Sequence, residues 1–82
     1  MKVSVLFFAV TRDLAGTSEA SLDVPGGAPT VADLVVTLEA EYPELRGRMG
    51  SVRIAKNERF AKPDEALHEG DVIALVPPVS GG

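Results

Sequence analysis

Two stretches of this chain are apolar with almost no polar interruption, one near each end: Val3-Ser4-Val5-Leu6-Phe7-Phe8-Ala9-Val10 and Val72-Ile73-Ala74-Leu75-Val76. Both are short and rich in β-branched or aromatic residues, so each predicts a strand. In the first, Val3, Val5, Phe7 and Ala9 form one face and Ser4, Leu6, Phe8 and Val10 the other. Both faces are largely apolar. Such a strand lies at the centre of a sheet or has one face covered by something beyond its own core. Thr11 to Thr17, with Gly16, reads as the turn of a long hairpin. Glu19 to Val24 then alternates, with Ala20, Leu22 and Val24 directed inward and Glu19, Ser21 and Asp23 to water.

After the breaker cluster Pro25-Gly26-Gly27-Ala28-Pro29 the period changes. Val31, Leu34, Val35, Leu38, Tyr42 and Leu45 recur at helical spacing, with Thr30 placed as N-cap, Asp33 three residues on, and Pro43 as the stop. Val52 to Lys56 predicts a third strand, Asn57-Glu58-Arg59 a turn, and Phe60 the start of a short further strand. Leu67-His68-Glu69-Gly70-Asp71 is a turn feeding the last strand. The order β-β-α-β-(β)-β supplies one helix for one face of one sheet. That is an α+β domain, and a β-grasp is its simplest form: a mixed sheet of four to five strands under one main helix. The first and last strands then lie side by side at the centre, which accounts for their apolar runs. Residues 1–76 are expected to form the body and 77–82 an extended tail.

Composition narrows the chemistry. The 82 residues suffice for one small domain and contain no cysteine, which removes disulfides, a thiol nucleophile and a cysteine zinc site. A net charge of -4 argues against nucleic acid as a partner. No apolar run reaches the ~18 residues of a membrane span. Arg12-Asp13 follows the first run without a cleavage site, so that run is expected to be a strand and the protein cytoplasmic. His68 reads as a solvated turn residue, and Asp64 and Glu65 as plain surface acids. No metal-ligating or cofactor-binding constellation is visible, and the glycines follow neither phosphate-binding pattern. From Arg46 to Lys62 six basic residues face one acid, Glu58. That segment reads as a solvated face, with a docking patch for an acidic partner as the alternative. The folded body is expected to be a platform, not an enzyme on its own.

The chemistry that remains is at the end, Pro77-Pro78-Val79-Ser80-Gly81-Gly82. Tandem prolines stop the last strand and favour a stiff, extended backbone. The four residues beyond them reach roughly 13 Å at ~3.3 Å per residue. Two glycines make a thread thin enough for a narrow channel, ending in a carboxylate. A carboxylate is inert to nucleophiles until one oxygen becomes a leaving group, most commonly through an acyl-adenylate formed from ATP.

Leu6-Phe7-Phe8-Ala9, Arg12, Gly16, Asn57, Leu67, Gly70-Asp71 and the terminal Pro-Pro-Val-Ser-Gly-Gly together resemble the small, sulfur-carrier subunits of molybdopterin synthases. These belong to the ubiquitin-like β-grasp superfamily. The resemblance implies that an E1-like enzyme uses ATP to adenylate Gly82, and that a sulfurtransferase source converts it to a thiocarboxylate. The tail, with Gly81 giving access, then enters the large synthase subunit and donates sulfur to cyclic pyranopterin monophosphate, in a heterotetramer of two small and two large subunits. By the same resemblance Phe8, Phe60 and Val76 contact partners, along with Pro77, Pro78, Val79 and Ser80. Lys56 departs from the family pattern, which has an apolar residue there, and predicts a more polar end to its strand. Three other readings share these features: a carrier of the thiamine branch, a ubiquitin-like modifier of lysines, and a binding module with an incidental tail.

Overall fold

The computed structural model describes residues 1–78. Strand β1 (Lys2–Phe7) is followed by helix α1 (Val10–Ala15), strand β2 (Glu19–Asp23) and helix α2 (Val31–Glu41). Two 3-10 turns (Pro43–Leu45 and Met49–Ser51) lead to β3 (Arg53–Lys56), β4 (Arg59–Phe60) and β5 (Val72–Val76). The sheet order is β2-β1-β5-β3-β4, with β1 and β5 parallel and every other pair antiparallel. This is the expected mixed sheet under one main helix, a ubiquitin-like β-grasp. Its first and last strands are central.

The core forms where the inward stripes meet. Val3, Val5 and Phe7 from β1, Leu22 from β2, and Ile73 and Leu75 from β5 are buried against Val31, Leu34 and Leu38 of α2. Phe7 meets Tyr42 edge-on, with ring centroids 5.2 Å apart. The cap of α2 forms as the sequence predicts. The Thr30 hydroxyl accepts the Asp33 amide and the Asp33 carboxylate accepts the Thr30 amide, closing a capping box. The strand bridge between Thr30 and Ala66 then ties this helix start to the loop that precedes β5.

One connection differs from the sequence reading. β1 ends at Phe7 instead of running to Val10, and the expected hairpin turn is helix α1. The cause is local. Buried Thr11 folds back on Phe8, its hydroxyl accepting the Phe8 amide at 2.9 Å and donating to the Phe8 carbonyl at 2.6 Å. Those bonds take both Phe8 backbone groups away from a strand ladder. Gly16, left-handed at φ 77°, closes the far end by donating its amide to Arg12 O. Two smaller differences occur further on: Val52 lies outside β3, and Arg59 belongs to β4 instead of the turn.

Candidate functional site: the open sheet face and the base of the tail

The helices cover one face of the sheet; the register defines what lies on the other. Ile54 is paired with Leu75, both buried toward α2, so their neighbours Ala55 and Ala74 point to the opposite side. Ala74 is paired with Leu6 on one flank and Ala55 on the other, and Ala55 with Phe60. Leu6, Ala74, Ala55 and Phe60 therefore form a continuous apolar row across four strands. Alanines at its centre make a low floor. Phe60, about half exposed at 53%, stands at one end, and Phe8, at 48%, lies just past the end of β1. One register step toward the tail, Val76 is paired with Arg53. The Arg53 guanidinium stacks over the Phe60 ring, 3.6 Å from its centroid.

Pro77 and Pro78 follow Val76 at the end of this central strand, two residues beyond Ala74 of the apolar row. Of the residues to which the sequence assigned roles, Phe60 and Val76 lie on this face by register, and exposed Phe8 follows directly on the end of β1. Val79, Ser80, Gly81 and Gly82 lie outside the described residues. Leu6, Ala55 and Ala74 complete the surface; the sequence assigned them no partner role, because only strand pairing puts them in line. Arg53 likewise read as one cation among six in a solvated segment; its place over Phe60 requires the β3–β4 pairing.

The family-like residues Asn57 and Asp71 do structural work at the other end of β3. Asn57 and Glu58 form a two-residue hairpin turn with positive φ angles of 51° and 72°. The Asn57 side chain donates to the Asp71 carboxylate and accepts the Val72 amide, each at 2.9 Å. The same carboxylate accepts the His68 amide at 2.7 Å. Burial pushes the Asp71 carboxyl up, but hydrogen bonds from Asn57 and His68 and the charges of Lys56 and His68 outweigh it. It titrates below the ordinary 3.8. This clamp fixes the start of β5, the strand that carries the tail. Lys56 lies on the helix side, donating to Ala66 O at 2.9 Å with Glu65 3.6 Å away. The more polar strand end that its sequence position predicts is thus used to hold the loop before β5, away from the apolar row.

Among the described residues no helix is long and apolar enough to cross a membrane. The sequence profile of the ThiS family matches residues 5–82, a span that includes the diglycine end. The molybdopterin synthase sulfur carrier subunit of Chlamydomonas reinhardtii is 38% identical over 84 residues, covering all of both chains. Small archaeal modifier protein 3 of Haloferax volcanii is 36% identical over 93 residues, again covering all of both. Among solved structures, SAMP1 from Haloferax volcanii superposes with a TM-score of 0.91 at 30% identity over the full length of both chains. A complex of subunits 1 and 2 of molybdopterin-converting factor from Helicobacter pylori contains a chain matching with a TM-score of 0.71. That match is 30% identical and covers 100% of each chain.

Proposed function

The chain belongs to the ThiS family, and on that footing we propose that it is the sulfur carrier of a molybdopterin synthase. The observation that carries this reading is the end-to-end likeness to a molybdopterin synthase sulfur carrier subunit at 38% identity. The chemistry resides at Gly82. Its carboxylate oxygen attacks the α-phosphorus of ATP on an E1-like enzyme and pyrophosphate leaves. A persulfide on a sulfurtransferase then displaces AMP from the acyl carbon, and a thiol cleaves the S–S bond of the acyl disulfide so formed, leaving the Gly82 thiocarboxylate and a disulfide. The sulfur, anionic near neutral pH, is delivered to cyclic pyranopterin monophosphate in a pocket of the large subunit. The carrier contributes the sulfur and no catalytic pocket of its own.

Phe8, Phe60 and Val76, together with Leu6 and Ala74, are the docking surface. Exposed aromatic residues at the ends of an apolar row suit a protein interface, and a carrier that meets two partners in turn is served by one shared face. Pro77 and Pro78 aim the tail, Val79 and Ser80 contact the partner, and Gly81 passes the channel without a side chain to block it. A heterotetramer of two carriers and two large subunits, working in the cytoplasm, fits this scheme. The complex of subunits 1 and 2 from Helicobacter pylori supports the large-subunit partner.

A second reading has a specific observation behind it: the likeness to a small archaeal modifier protein at 36% identity. It needs the same adenylated Gly82 but ends in an isopeptide bond to lysine. Co-expression with the activating enzyme, followed by mass spectrometry of the C-terminal peptide, separates the two. A sulfur-for-oxygen exchange on Gly82 is the carrier outcome. Protein conjugates without any thiocarboxylate identify the modifier.

A further inference from the structure

A groove of about 330 Å³ lies between α2 and the β3–β4 edge and meets the apolar row at Phe60. Val35, Met49, Val52, Ala61 and Phe60 supply its apolar wall, and Arg53 is the one charged residue in its lining. Three more exposed cations are chain neighbours of lining residues: Arg48 beside Met49, Arg59 beside Phe60, and Lys62 between Ala61 and Pro63. The nearby acids are largely engaged. Asp33 is held in the α2 capping box and Glu65 faces Lys56 at 3.6 Å, which leaves Asp64 and, one turn beyond Val35 on α2, Glu39. Glu58 lies in the turn at the opposite end of β3.

We infer that this groove is a second docking site, for a peptide segment of a partner protein that presents one apolar anchor flanked by carboxylates. The first argument is charge complementarity. The segment 46–62 has six bases against one acid, while the rest of the chain has two bases against eleven acids. A basic rim on an acidic protein steers an acidic ligand to this place and away from the remaining surface. The second argument is the lining. A small-molecule site of this size carries several convergent polar groups that fix orientation, whereas here the wall is apolar, Arg53 is the one charged side chain in it, and the other cations neighbour it in the chain. That division suits an apolar side chain inserted between acidic neighbours. The face of Phe60 is stacked by Arg53, which turns that ring into a wall and leaves its covered side closed to a nucleobase. The groove shares Phe60 with the apolar row, while its helix wall of Val31, Ala32 and Val35 takes no part in that row.

Selection of phage-displayed random peptides against the immobilised full-length protein tests the proposal. Selected peptides should carry acidic residues on both sides of one apolar residue. With 15N-labelled protein, they should shift the amides of Ala32, Met49, Gly50 and Ala61. Ala32 is exposed on α2 and lines the groove, so Ala32→Glu keeps the helix and adds a repelling charge. It should weaken binding by about tenfold, the equivalent of ~1.4 kcal/mol, and added salt should weaken it further. Failure to enrich any peptide, enrichment without acidic residues, or shifts confined to Leu6 and Ala74 would overturn the inference. So would concentration-dependent shifts of the groove amides without peptide, which would assign the groove to a second copy of the chain.

Discussion

Replacing Asn57 by alanine removes the clamp that joins the β3–β4 turn to the start of β5. The side chain makes two hydrogen bonds, to the Asp71 carboxylate and from the Val72 amide, both at 2.9 Å. A bond to a charged group contributes roughly 1.5–3 kcal/mol and a neutral one about 0.5–1.5. The backbone adds a third effect, since φ is 51° and a Cβ that lacks asparagine's local hydrogen bonding costs roughly 1–2 kcal/mol there. The Val72 bond is exposed, so the low end of the sum applies. Asn57→Ala is expected to lose about 3 kcal/mol, a large share of the ~5–15 kcal/mol typical of a domain. For a chain of this size that corresponds to a fall in Tm of roughly 12–24 °C. Asn57→Gly isolates the backbone effect, because glycine tolerates the positive φ and forfeits only the hydrogen bonds; it should lose about 2 kcal/mol. Urea and thermal melts by circular dichroism give both values. A loss below ~1 kcal/mol for alanine, or equal losses for both variants, would refute the reasoning.

Further outcomes follow from the same geometry. Ala74→Glu places a carboxylate at the centre of the apolar row and should weaken binding to the large synthase subunit by at least about 30-fold, or ~2 kcal/mol, measured by calorimetry, with little change in Tm. Undiminished binding would remove the row from the interface. The folded Asp71 carboxyl titrates below its ordinary 3.8, so its contribution to stability is fully present above that value and is lost as pH falls through the lower folded value. Urea melts from pH 7 down to 3 should show this loss in the wild type and less of it in Asp71→Asn. Thr30→Ala opens the capping box of α2 and should cost about 1 kcal/mol, read as a shifted urea midpoint at constant slope.

What the sequence makes legible follows the range of the interaction concerned. The α2 cap was readable because Thr30 and Asp33 are three residues apart and satisfy each other. The central position of β1 and β5 was readable because both runs are apolar on both faces, as strands flanked on either side in a sheet are. The Phe8–Val10 segment was misleading for a physical reason: an apolar run serves a strand or a helix start equally well. The choice was made by the Thr11 hydroxyl folding back on Phe8. The candidate site was legible only in outline. Phe60 and Val76 stand far apart in sequence from Leu6, and their alignment with Leu6, Ala74 and Ala55 depends on the register of three strand pairs. Arg53 over Phe60 depends on the same pairing, so composition presented it as one charge in a solvated run.

The central claim is that Gly82 is the reactive end of a sulfur carrier. Its most direct test is the mass of the C-terminal peptide after the chain is produced with its E1-like activating enzyme and a sulfur source. The mass should show one sulfur in place of one oxygen on Gly82. Mixing that form with the large subunit and cyclic pyranopterin monophosphate should restore the ordinary carboxylate as molybdopterin forms. A Gly82 that stays an unmodified carboxylate, or appears only in isopeptide linkage to lysine, would contradict the account.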